Sequence, residues 1–181
     1  MSETPQAFID HSRKLMTADY LPRIESCLET LTDQNIWWRP NAESNSIGNL
    51  ILHLAGNVRQ WLVSGIGGAS DNRERHTEFE ERGPIPQTEL VSLLRTTVED
   101  ADRTLSSLDP GILDERRKIQ GCEVTCLEAI YHAVEHFSMH TGQIIVLTKM
   151  WSGDLAFYEV KDGVARPNWN LKRADSGEQE Q

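Results

Sequence analysis

At 181 residues the chain fits one domain and is long enough to bury a substantial core. Its formal net charge of −10 and pI near 5.0 argue against a nucleic-acid partner, which requires a basic face. There is no apolar run of about 18 residues to span a membrane, no apolar h-region at the polar start, and three cysteines make no disulfide framework, so a cytoplasmic protein is expected.

In chain order, residues from Pro5 to Thr32 place Phe8, Leu15, Leu21, Ile24, Leu28 and Leu31 at the mixed spacings of a buried helical stripe. Pro22 removes a backbone donor and should kink or split that helix. Ser44, Asn45 and Ser46 offer N-caps for a second helix. It carries Ile47, Leu50, Ile51, Leu54, Val58, Trp61 and Leu62 and fades at Gly65 to Gly68. Ala69 to Gln87 is polar, holds two prolines and has no apolar period. Connections beyond about 12–15 residues are unusual in compact domains, so this one reads as a crossover between helices that run in the same direction.

A third helix is expected from Thr88 to Ser107, with Leu90, Leu93, Leu94, Val98, Ala101 and Leu105 inward, ended by Asp109-Pro110-Gly111. The fourth starts at the capping box Thr125-Cys126-Leu127-Glu128. It runs through Leu127, Ile130, Val134, Phe137, Ile144, Ile145 and Leu147 to about Met150. Leu155 to Val160 suits a short extended stretch. The polar tail from Lys172 to Gln181 should be disordered, which leaves one domain over residues 1–171. Four long amphipathic helices predict an all-α four-helix bundle.

The histidines carry the chemistry. At about 100° per residue, His53 sits on the shoulder of the second helix's apolar arc, beside Asn49, Asn57 and Gln60. His136 and His140, four apart, share one shoulder of the fourth helix, and His132 lies further towards solvent. Three imidazoles from two helices make a face that leaves coordination positions open for water or substrate. A polar histidine network that holds helices together is the alternative, and His11 and His76 read as bystanders.

His132-Ala133-Val134-Glu135-His136 also reads H-x-x-E-H, the inverted zincin signature. The chain lacks the length and the downstream acidic ligand such proteases need, and Glu135 falls on the opposite shoulder. Cys122 and Cys126 could bind metal but read better as reduced thiols. Trp37, Trp38 and Trp61 are expected as core or interface anchors, and Arg59 as a solvated helix charge rather than an anion site.

The Ile-Leu-His-Leu-Ala-Gly-Asn run around His53 and the Glu135-His-Phe-Ser-Met-His-Thr-Gly-Gln-Ile144 run resemble the DinB/YfiT-like metalloenzyme superfamily. Trp37-Trp38-Arg39-Pro40 and Asn45-Ser-Ile-Gly-Asn-Leu50 extend the likeness over most of the chain. The resemblance implies a four-helix bundle with a long crossover between helices 2 and 3. It also implies a divalent metal, zinc or nickel, on His53, His136 and His140, and a homodimer. His132, Asn49, Asn57 and Gln143 are then candidates to tune the ligands or orient a small-molecule substrate. The resemblance implies a small-thiol S-transferase or isomerase, and water activated on a cation held by three imidazoles would instead give a hydrolase; a non-catalytic metal-binding stress-response module is the alternative.

Overall fold

The computed structural model describes residues 3–153 and 155–169. The protein is mostly helical, and no helix among the described residues is long and apolar enough to cross a membrane. The stretch to Thr32, expected to be kinked or split at Pro22, consists of α1 (Thr4–Lys14), a π-helical turn (Leu15–Tyr20) and α2 (Leu21–Leu28). The π turn is how the chain accommodates Pro22. The Leu21 N–H reaches back five residues to the Met16 carbonyl, which puts Pro22 in the first turn of α2, where no N–H is needed. The indole Nε1 of Trp169 donates to the carbonyl of Ala18, four residues before the proline, at 3.3 Å.

Thr32 opens a separate short helix, α3 (Asp33–Ile36), because it closes a capping box with Asn35. Ser46 caps α4 (Ile47–Val58), which continues through a second π turn, Arg59–Ser64. The crossover contains a short helix, α5 (Arg75–Glu80), that its polar sequence did not announce. Next comes α6 (Gln87–Ser106). Its Leu90, Leu94, Val98, Ala101 and Leu105 are buried as expected, but Leu93 points outward at 43% exposure. Thr125 caps α7 (Cys126–Lys149) in the anticipated box with Glu128.

Two small antiparallel sheets correct the all-α expectation: β1 (Arg116–Ile119) with β2 (Cys122–Thr125), and β3 (Tyr158–Lys161) with β4 (Val164–Pro167). Each hairpin turns on two residues at positive φ, Gln120-Gly121 and Asp162-Gly163. Such turns match the right-handed twist of the strands they join. The first hairpin hands the chain directly to Thr125 and α7. The expected disordered tail, 172–181, lies outside the described residues.

Helices α1, α2 and α4 each pack against both α6 and α7. Phe137, fully buried, stacks on Tyr20 at 5.9 Å between ring centroids. Ser46 and Asn49 bond reciprocally at the start of α4 with both residues buried. Ser46→Ala should therefore cost about 1–2 kcal/mol, the upper part of the N-cap range. That would lower the melting temperature by roughly 2–8 °C. An unchanged thermal melt would mean that packing, not the cap, holds this end of the helix.

Candidate metal centre

His53 projects from α4 towards α7, where a separation of four residues stacks His136 and His140 one turn apart. His53 and His140 are buried and His136 is half-buried. The His136 Nε2 lies 3.0 Å from His53 Nε2 and 3.2 Å from His140 Nε2. One ligand atom from each of the three falls within 4.8 Å of the others, a grouping that could hold a metal ion. Zinc–nitrogen bonds of about 2.0–2.1 Å at a tetrahedral angle set neighbouring nitrogens about 3.3 Å apart, close to the separations found.

Proton accounting supports the fit. The Nδ1 of His53 meets Glu78 Oε2 at 2.8 Å, and the Nδ1 of His140 meets Gln143 Oε1 at 2.7 Å. Both oxygens accept, which places a proton on Nδ1 of His140 and, since the Glu78 contact is shorter than the 3.1 Å approach of Arg73 Nη2 to the same nitrogen, on Nδ1 of His53, leaving both Nε2 atoms with lone pairs. Burial first, and then the neighbouring imidazoles, push His136 down to about 3, so it is neutral near pH 7. A neutral His136 has at most one proton on Nε2 for two lone pairs. At least one of the two contacts is therefore lone pair against lone pair, which a shared cation turns into attraction. Burial also lowers His140 and His132.

Behind His53 stands an ion pair from the crossover. Arg73 grips Glu78 by two bonds, Nε to Oε1 at 2.7 Å and Nη2 to Oε2 at 2.9 Å. Burial alone would raise the Glu78 carboxyl, but the hydrogen bonds and charge attraction from Arg73 and His53 together outweigh it and lower the group from its ordinary value.

The sequence profile of a family described as protein of unknown function (DUF1572) matches residues 3–158. The chain belongs to the DUF1572 family. Over 153 residues it is 23% identical to the uncharacterized protein YkkA of Bacillus subtilis, covering 76% of this chain and 85% of that one. A DinB-like protein of Bacillus cereus has a similar structure, with TM-score 0.58 and 16% identity over 75% of this chain and 89% of that one. A conserved protein of Enterococcus faecalis matches with TM-score 0.59 and 14% identity over 84% and 97% of the two chains. This DUF1572 chain thus has the DinB-like fold that its histidine runs resembled.

Of the other residues the DUF1572 sequence singled out, Gln143 alone touches one of the three histidines by a hydrogen bond, orienting His140. Asn57 Nδ2 lies 3.3 Å from His132 Nε2. The His132 ring packs against Trp61 at 4.1 Å and stands 5.5 Å from the His136 ring. Asn49 serves the fold: beyond its cap, its Nδ2 donates to the carbonyls of Glu78 and Glu81. Exposed Arg59 pairs with Asp100, Glu135, His11 and His76 are exposed, and the three cysteines are free and stand apart from the histidine group. Trp61 is a buried anchor, and Trp37 is half-buried with its Nε1 on the Ile85 carbonyl.

Sequence reasoning missed Glu78 and Arg73, which lie where no period marks a buried face. One signal was present: Gly56, a turn after His53 on α4. A Cβ there would come within 2.1 Å of Glu78 Oε1 and 2.8 Å of Arg73 Nε.

Proposed function

We propose that the protein is a metal-dependent enzyme in which His53, His136 and His140 hold one divalent cation, zinc or nickel, for thiol transfer or hydrolysis on a small molecule. The observation that carries this reading is the convergence of three imidazole nitrogens with too few protons between them to satisfy one another. Among the described residues no further His, Cys or carboxylate joins the three, which favours an open coordination position over a closed structural site. A cation on three neutral nitrogens keeps its full double charge and supplies Lewis acidity that lowers the pKa of water or a thiol.

The chain's residues do the rest. Gln143 and Glu78 fix the two imidazoles they touch in the tautomer that leaves Nε2 bare. Gln143 also lines a groove of about 690 Å³ with Pro40, Leu50, Met139, Gly142 and Val146, large enough for a small substrate beside the His140 support. Burial pushes the Cys27 thiol up to about 11 and raises Cys126 as well. Both stay protonated, and neither they nor exposed Cys122 join the three histidines, so a thiol nucleophile would have to come from a small molecule.

The test compares zinc- and nickel-loaded protein with chelated protein in two assays: conjugation of a low-molecular-weight thiol to an activated aryl halide, and hydrolysis of an activated aryl ester. Cation-dependent acceleration in one assay, beyond that of the free ion, assigns the reaction type. Stoichiometric cation without acceleration in either overturns the enzyme reading in favour of a non-catalytic metal-binding module.

A further inference from the structure

Glu78 is the least expected component of the site. It lies on a six-residue helix in a polar crossover, yet it is only 8% exposed. A buried carboxylate is costly unless paired and hydrogen-bonded, and here the chain devotes several residues to keeping one. Arg73 binds both carboxylate oxygens, and its third nitrogen, Nη1, is held by Gln60 Oε1 at 2.9 Å. Gln60 is anchored in turn by Asp71. Gly56 leaves the space that the carboxylate and guanidinium occupy.

The backbone of α5 is tied down separately. Asn49 bonds the carbonyls of Glu78 and Glu81 at 2.8 and 3.0 Å, and Arg39 Nη2 reaches those of Phe79 and Glu81. Docking the crossover is thus already served by carbonyl contacts. Had docking been the only need, an apolar side chain at position 78 would have met it at lower desolvation cost.

We propose that Glu78 is a positioning residue for the cation site, holding His53 as the Nδ1–H tautomer with its Nε2 lone pair turned to His136, while Arg73 cancels the carboxylate's charge. The proposal rests on the metal-site reading above and adds a part to it: the crossover supplies the support for one ligand. A carboxylate behind a ligating imidazole fixes its ring and raises its basicity. With Arg73 beside it, the support adds no net charge, so the cation's Lewis acidity is preserved.

Two variants of unlike chemistry test this. Glu78→Gln keeps the shape but offers an amide that can donate or accept, so it no longer imposes the tautomer. Gly56→Ala changes no ionisable group and displaces the Arg73–Glu78 pair by contact, while alanine itself favours the helix. Zinc affinity is measured by chelator competition, and the His53 tautomer of the metal-free protein by long-range nitrogen–proton NMR.

Both variants should bind zinc about 10–100-fold more weakly and show His53 shifting from pure Nδ1–H towards a mixture with Nε2–H. A lowered melting temperature with the tautomer and zinc affinity unchanged would reduce Glu78 to a structural residue and overturn the proposal. If wild type itself binds no zinc, the metal reading fails separately. The tautomer then decides alone: a shift in both variants retains the positioning role, and no shift removes it.

Discussion

His136→Ala should abolish stoichiometric metal binding in protein purified without a histidine tag, and His53→Ala and His140→Ala should do the same. His136 is the middle histidine of the three, its Nε2 3.0 and 3.2 Å from those of the other two. Its loss leaves two imidazole nitrogens on different helices. The effect should exceed the 10–100-fold weakening typical of losing an outer partner, so that dialysed protein retains no cation by elemental analysis. His132→Ala is the control. Its ring lies on Trp61 and shares no hydrogen bond with the other histidines, so metal content should be unchanged. Wild type that takes up neither zinc nor nickel would leave a histidine-linked helical scaffold, and loss in His132→Ala alone would redraw the ligand set.

The second large effect is on acid stability. In metal-free protein His136 is pushed down to about 3, and His140 and His132 are lowered, in each case chiefly by burial. The unfolded chain protonates these imidazoles near pH 6.5, whereas in the native state their protonation is shifted to lower pH. Below about pH 6.5 the unfolded state binds more protons, and stability falls as pH drops towards about 3. Glu78, also lowered, adds to the loss in the lower part of that window.

The limiting slope is about 1.4 kcal/mol per pH unit per proton, and solvent screening at half-exposed His136 reduces its share. Thermal melts of chelated protein from pH 8 to pH 4 should therefore show a plateau above about pH 7 and a steepening fall below it. The fall should be shallower in His136→Ala. Saturating zinc should raise the plateau by about 2.7 kcal/mol at one hundred times its dissociation constant. That gain should vanish over the same acid range, because protons compete with the cation for the nitrogens. Equal slopes in wild type and His136→Ala would show that His136 titrates normally.

A DUF1572 chain is informative about which parts of such a site can be read before folding. The three histidines were legible because helical period ties position to direction: His136 and His140 four apart must share a face, and His53 must flank the stripe of Leu54 and Val58. The caps at Ser46 and Thr125 were legible because a side chain three residues from its partner closes a local ring. Where local rules were overlooked, a signal still existed. Asp162-Gly163 carried the hairpin preference that two positive-φ residues express, and Thr32-x-x-Asn35 carried a box that divides the expected first helix from α3.

The sequence by itself therefore determined the amphipathic helices, their starts and the three-histidine grouping, since each depends on spacings within one helix or on the shoulder a side chain occupies. Tertiary structure alone decided the rest. It brought Glu78 to His53 across 25 positions, set Arg73 against that carboxylate, gave Asn49 to the crossover carbonyls and placed Trp169 on the Ala18 carbonyl. These contacts join polar groups far apart in the chain, and no periodicity marks such groups. Their energy exists only once burial has removed water from both partners, so it is visible only in the folded molecule.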